Sequence, residues 1–196
     1  MRREHNDEVD SMRRRQCIGA AGALAGLAAA ARAARAQGAA PSARLRSLTV
    51  LDVELIDEHA NPATRAAQVV RLRNAAAQLR QELAERGLYR VVDAAPTAAL
   101  QDKLRAQQEF LYRCDDCAAQ VGGQLGVELV MTPWVQKVSE LILNVNVQIY
   151  DVKAQRVILT KSVDMRGNDD VSWQRAVRFL VRDMQDKRAA NPAYGQ

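Results

Sequence analysis

Cys114 and Cys117 stand three residues apart at the head of an apolar, glycine-containing run, RCDDCAAQVGGQLGVELVM. Three chemistries use that spacing: a metal claw, a thiol–disulfide couple and a structural disulfide. A structural zinc site draws four Cys/His ligands, usually as two separated pairs. The chain holds three cysteines and two histidines with no second pair, so no metal is expected. A redox couple would gain from a helix amino terminus, whose free N–H groups favour the thiolate. It would lose from Asp115 and Asp116, two carboxylates between the sulfurs. A staple needs only an oxidising compartment. Staple and redox couple both stay open, and the choice begins with location.

The amino terminus carries that information. Arg13, Arg14 and Arg15 precede QCIGAAGALAGLAAAARAARAQGAAP, a basic region, an apolar stretch from Cys17 to about Ala31, and small residues at Ala34-Arg35-Ala36. This layout predicts an export leader over residues 1–36, cleaved near Ala36, and hence a periplasmic protein. Consecutive arginines before a modestly apolar core favour the twin-arginine route, with the general secretory route as the alternative. Met12 is a plausible true start. The apolar stretch falls short of the roughly 20 residues a spanning helix needs, so no stable membrane anchor is expected. Cleavage removes Cys17 and His5 and leaves Cys114 and Cys117 as an even pair. It also removes seven basic and four acidic side chains, so most of the formal charge of +5 belongs to the leader. A nucleic-acid partner, which needs a basic stripe on the folded domain, is not expected.

Other chemistry-bearing residues are sparse. His59 lies in a polar turn, and no GxSxG nucleophile elbow is present. The glycines of QVGGQLG end a helix before a strand, the reverse of a dinucleotide loop, so Gly122 and Gly123 are expected to permit close packing or end the helix. No cofactor is expected. Asp52, Glu54, Asp57 and Glu58 form either a solvated strand end or a cation site, with Asp52 and Glu54 on one strand face. RGNDD (166–170) is expected as a strand-to-helix turn that could also serve recognition. Trp134 and Trp173 are the only tryptophans. Trp134 either packs against the last helix or stands out as a binding anchor. Pro133 before it implies an edge strand or a bulge. Gln136 and Lys137 are then expected on the polar side of that strand.

The elements that must position these groups follow from periodicity. Residues 46–57 alternate and predict a first strand. Pro62 opens a helix with Ala66, Val69, Val70, Leu72, Ala76, Leu79 and Leu83 on its apolar face, closed by Gly87. A short strand at 88–93 leads to a second helix over 95–113 with Thr97 as cap, then to the cysteine helix at 117–125. Three consecutive strands follow. In the middle one, Leu141, Leu143, Val145, Val147 and Ile149 alternate with Ile142, Asn144, Asn146 and Gln148. A last helix, capped by Asp169 or Asp170, turns Trp173, Ala176, Val177, Leu180, Val181 and Met184 inward. The expected fold is one α/β domain over 46–187, a single mixed sheet with helices packed on it. Its second half is a three-strand antiparallel meander. Short tails lie at 37–45 and 188–196.

LDVELID, LYRVVD, CDDC before LGVELV, WVQKVSELILNVNVQIYDV and SVDMRGNDDVSW together resemble a proteobacterial family of exported proteins known only as a domain of unknown function. The likeness covers 46–183. It implies an export leader and one α/β domain, and for some members a setting beside quinoprotein alcohol-oxidation systems. The order of elements is also similar to the amino-terminal domain of the Tol-system propeller protein and to periplasmic lipoproteins of the curli-secretion and penicillin-binding-protein-activator type. Those use the fold to bind envelope proteins, though fold alone does not fix function.

The expected function is a non-catalytic periplasmic accessory or scaffold protein that binds another envelope protein through its sheet edge or polar sheet face. Trp134, Gln136, Lys137, Asn144, Asn146 and Arg166 are the partner-binding residues. The alternative is a periplasmic thiol–disulfide protein using Cys114 and Cys117.

Overall fold

The structure, a computed structural model, describes residues 44–196. The leader, its cleavage point near Ala36, Met12, Cys17 and all but the end of the 37–45 tail lie outside the described residues. The chain order is β1 (Ser47–Val50), β2 (Glu54–Asp57), α1 (Arg65–Glu85), β3 (Arg90–Val92), α2 (Ala98–Arg105), α3 (Asp115–Leu125), β4 (Leu129–Lys137), β5 (Ile142–Asp151), β6 (Arg156–Arg166) and α4 (Asp170–Ala190). One mixed sheet runs β3-β1-β4-β5-β6, with β2 also on β4. The parallel pairs are β1–β3, β1–β4 and β2–β4. The antiparallel meander β4-β5-β6 makes the other half. The α/β class and the meander are as the sequence implied.

The first strand is not continuous. Val50 pairs with Met131, whereas Glu54 pairs with Trp134, so three residues (51–53) on one side lie opposite two (132 and 133) on the other. This is a bulge, which interrupts the ladder and bends the strand. Pro133 sits opposite the break. The Leu51 N–H donates to the Met131 carbonyl, so odd-numbered residues of β4 turn their backbone polar groups toward β1 and β2. The nitrogen of Pro133 therefore faces the one stretch where no ladder donor is needed. Pro133 belongs to an interior strand, and the bulge, rather than a sheet edge, accommodates it.

Helices cover the two faces unequally. α1 and α4 lie over Leu48, Val50, Leu129, Met131, Val145, Val147 and Ile149. All six residues of α4 expected to face inward are buried, and Asp169 caps the helix by accepting from the Ser172 N–H at 2.8 Å. α1 departs from expectation. It starts at Arg65, buries Gln68, Ala75, Ala76, Leu79 and Leu83, and leaves Val69 and Val70 exposed. The buried set repeats every 3.6 residues, which places Val70 off the stripe and Val69 at its margin.

On the other face, α2 and α3 cover only one end, around Leu51, Val130 and Tyr150. α2 ends at Arg105 rather than continuing to 113, and a short 3-10 turn at Leu111–Arg113 precedes α3. The Glu54 carboxylate takes the Leu111 and Tyr112 N–H groups at 2.8 and 3.2 Å, a tertiary bond that replaces the helical one. Gly122 lets α3 settle on the sheet. A Cβ there would lie 2.4 Å from a methyl of Val152 and 2.9 Å from one of Val130. Gly126, at φ 64°, closes the helix in the left-handed conformation that glycine accepts without strain.

Candidate functional site

Beyond the part that α2 and α3 cover, the second sheet face is open among the described residues. Strand register lines up its side chains in rows. Glu54, Trp134, Asn146 and Ser162 form one row; Ile56, Gln136, Asn144 and Asp164 form the next; Ile142 and Arg166 extend it. Residues two apart on a strand share a face, so five of the six expected partner-binding residues come together here: Trp134, Gln136, Asn144, Asn146 and Arg166. Trp134, Gln136 and Asn144 are half-buried, Asn146 is buried, and Ser162, Asp164 and Arg166 are exposed. Asn146 Nδ2 donates to Asn144 Oδ1 at 2.6 Å, which orients both amides. The Gln136 amide donates to Glu58 at 3.3 Å.

Lys137 does not join them. It lies on the opposite face, 1% exposed, with its ammonium 3.1 Å from Asp57 and 2.7 Å from Glu140. Its position on the polar side of the strand is thus corrected: alternation sends it the other way, and two carboxylates make its burial tolerable.

Trp134 lies on the face away from α4, so it does not pack against the last helix. Its indole stacks on Tyr112, with centroids 4.2 Å apart and planes 11° from parallel. Phe110 stands beside Tyr112 at 5.7 Å. The Arg113 guanidinium lies over both rings and donates to the Tyr112 hydroxyl at 2.7 Å. Phe110, Tyr112 and Arg113 were not singled out from the sequence. The available signal was EFLYRC, three of whose residues are aromatic or cationic in a chain that is 4% aromatic.

The loop carrying this aromatic group is fixed at both ends. Glu54 holds Leu111 and Tyr112, and burial raises the Glu54 pKa against the opposing pull of those two N–H groups. Just beyond, Cys114 and Cys117 are joined in a disulfide. Cys114 caps α3, its sulfur accepting from the Cys117 N–H at 3.2 Å. Cys117 is 2% exposed and packs among Leu104, Leu111 and Val121.

The four acidic residues near the first strand do not converge. Asp52 pairs with Arg80 at 2.9 Å, Glu54 holds the loop, Asp57 pairs with Lys137 and Glu58 meets Gln136. The bulge separates Asp52 from the face that carries Glu54. Among the described residues no group of three His, Cys, Asp or Glu side chains could hold a metal ion. His59 sits in an exposed turn, its N–H donating to Asp57. The 166–170 segment is a hydrogen-bonded turn: the Trp173 indole donates to Asn168 at 2.9 Å and the Ser172 hydroxyl to the Arg166 carbonyl at 2.9 Å.

A mixed sheet with helices packed on it and a disulfide-linked aromatic loop at the border of its partly covered face define a small α/β protein. Residues 46–184 match the DUF3280 family, described as "Protein of unknown function (DUF2380)", and the chain belongs to that family. No curated protein matches it. Several solved structures resemble its fold. The C-terminal domain of LpoB from Salmonella enterica is 18% identical, covering 65% of this chain and 87% of that one, with a TM-score of 0.43. The PelC dodecamer from Paraburkholderia phytofirmans is 13% identical, covering 72% and 86%, TM-score 0.41. TolB from Acinetobacter baumannii is 10% identical, covering 76% of this chain and 30% of its own, TM-score 0.41. These likenesses are of fold, and at such scores they carry no argument about activity. None points to a quinoprotein alcohol-oxidation partner. No helix among the described residues is long and apolar enough to cross a membrane.

Proposed function

We propose that the protein is a non-catalytic accessory or scaffold protein of the cell envelope that binds a partner protein through the open face of its sheet. The observation that carries this reading is the row arrangement itself. Trp134, Asn146 and Ser162 lie beside Gln136, Asn144 and Asp164 on three hydrogen-bonded strands. Their backbone is fixed by the sheet, so little ordering entropy remains to be lost on binding. An aromatic plane edged by amides, one carboxylate and the Arg166 and Arg113 guanidinium groups is suited to recognition, where a few rigid aromatic and arginine anchors dominate affinity. The export leader read at 1–36 supports the envelope location, and cleavage near Ala36 leaves the 46–187 domain as the working part.

The Cys114–Cys117 disulfide serves this reading as a staple that keeps Tyr112 against Trp134. Its use as a redox couple is the competing role: Cys117 is buried, and exchange would begin at the half-buried Cys114 at the start of α3.

The test is capture of envelope proteins by the full chain and by a Gln136→Arg/Asn144→Arg variant, with circular dichroism confirming that both fold. A partner retained by the wild type and lost by the variant is expected. Equal capture by both would remove the open face as the binding surface.

A further inference from the structure

Among the described residues β6 ends the sheet: it pairs with β5 on one side and with no strand on the other. The Gly167 N–H donates to the Leu141 carbonyl, which fixes the parity of the ladder. Odd-numbered residues of β6 turn their backbone groups to β5, and the N–H and C=O of Thr160, Ser162 and Asp164 point out of the sheet. The Ser172 hydroxyl donates to the Arg166 carbonyl and closes the edge at that end. Such an edge is a ready template for another strand, and proteins ordinarily blunt it with a bulge, a proline or a covering element. The 159–166 stretch of β6 holds no proline and no bulge, its one register irregularity lying earlier, where β5 Ile149 and Tyr150 pair; its inward charge, Lys161, is neutralised by Asp183 and leaves the outward backbone groups unpaired by a strand among the described residues.

Beside that edge, β6 and α4 enclose a groove of about 530 Å³. Val163, Ala176 and Phe179 supply its apolar wall, and Phe179 is 47% exposed. Arg166 and Arg175 line it, and Arg182 lies with its guanidinium 5.5 Å from the Phe179 ring centre, extending the cationic side one turn along α4. Among the described residues no carboxylate pairs with Arg166, Arg175 or Arg182, although most other arginines that border the core are paired. Asp164 is the one acidic residue in the groove. Three arginines without carboxylate partners against one aspartate leave the rim with a net positive charge. A second copy of this chain would bring the same arginines against them.

We infer that the β6 edge and the α4 groove take an extended acidic segment of a partner protein as an added, seventh strand. The segment's backbone pairs with Thr160, Ser162 and Asp164. Its apolar side chains enter the Val163–Ala176–Phe179 wall, and its carboxylates meet Arg175, Arg166 and Arg182. Main-chain pairing supplies affinity in this mode, and the flanking side chains supply selection; guanidinium–carboxylate pairs are the strong, directional part of that selection. The site shares Ser162, Asp164 and Arg166 with the open face, but Trp134, Gln136 and Asn144 take no part in it and Arg175, Phe179 and Arg182 take no part in the face, so variants at those positions tell the two readings apart.

The probe is a fluorescein-labelled synthetic peptide alternating valine and glutamate, with a valine–lysine peptide as control, titrated into the full chain. Anisotropy is expected to show binding of the glutamate peptide only. On binding, the amides of Thr160, Ser162 and Asp164 become protected from hydrogen exchange, while Trp134 emission stays unchanged. Ser162→Pro removes an outward N–H without touching the β5 ladder, and Arg175→Glu reverses a rim charge; each should weaken binding roughly tenfold or more. Four outcomes would overturn the inference. These are no binding of the glutamate peptide, equal binding of the lysine peptide, protection of the three amides without peptide in a self-associated chain, and binding that moves Trp134 but leaves the β6 amides exchanging.

Discussion

The Trp134 indole rests against the Tyr112 ring, and it is this contact that joins the loop before α3 to the open face of the sheet. The two residues come from elements that share no backbone pairing. A β4 side chain meets the 3-10 turn at Leu111–Arg113, and Glu54, the row neighbour of Trp134, holds the same turn from its other side. The aromatic edge of the candidate surface is thus set by side chains more than by the ladder.

Stacked aromatic pairs add about 0.5–1.5 kcal/mol beyond the area they bury. A double-mutant cycle of Tyr112→Ala and Trp134→Ala, read by urea unfolding, should return a coupling within that range. Tyr112→Ala alone should shift Trp134 emission to the red, because water replaces the ring. Additive effects with no coupling would show that the stack does not hold in solution.

The disulfide spans four residues, so the chain-entropy argument gives it about 2 kcal/mol. Cys114→Ala/Cys117→Ala should lower the unfolding free energy by about that amount, keep the far-ultraviolet circular dichroism, and speed hydrogen exchange at Leu111 and Tyr112. As a staple, the wild-type pair is expected to have a reduction potential below about −300 mV, in the structural range. A value of about −120 to −200 mV would move the protein to the redox class.

The parts legible in the sequence were those set by local period. α4 repeats at 3.6 residues over its whole length, and β5 at two, so Trp173, Met184, Val145 and Ile149 could each be assigned a side. The parts not legible depend on partners far along the chain. Nothing local distinguishes a continuous strand over 46–57 from one broken opposite Pro133. The turn at Leu111–Arg113, in place of a continuing helix, is held by Glu54, 57 residues from Leu111. Lys137 reads as a solvent-facing lysine until Asp57, 80 residues away, is seen to meet it. The open face was half visible: the amides of β5 showed its polarity, and Trp134 was marked, but Tyr112 and Arg113 enter it only through tertiary packing.

Gly122 offers a test in which two effects oppose each other. Replacing a helical glycine by alanine ordinarily gains about 1 kcal/mol. Here the new Cβ would meet Val152 and Val130 at 2.4 and 2.9 Å, and both are branched side chains, Val130 fully buried. Overpacking costs about 1–3 kcal/mol, so Gly122→Ala should be net destabilising. Adding Val152→Ala should recover part of the loss. A stabilised Gly122→Ala chain would mean that α3 sits farther from the sheet than described.

Lys137 makes the sharpest pH prediction. Burial pulls its pKa down, but the hydrogen bonds to Glu140 and Asp57 outweigh that and hold it above the ordinary lysine value. Glu140, bound by Lys137 and Asn168, is held below the ordinary glutamate value. A raised lysine contributes stability that is complete below its unfolded pKa of about 10.4 and lost as pH rises through the folded value. A depressed glutamate contributes stability that is complete above about 4.3 and lost as pH falls through its folded value. Lys137→Met should remove both contributions and leave Asp57 half-buried without its cation. Because the Glu140 side chain is 52% exposed, the loss at neutral pH should be about 2–3 kcal/mol, below the 3–5 of a fully buried pair. Urea unfolding across the pH range should then give a profile flatter than the wild type at both ends. If Lys137→Met were as stable as the wild type at every pH but bound its partner less well, Lys137 would return to the recognition surface, and its burial between Asp57 and Glu140 would have to open in solution.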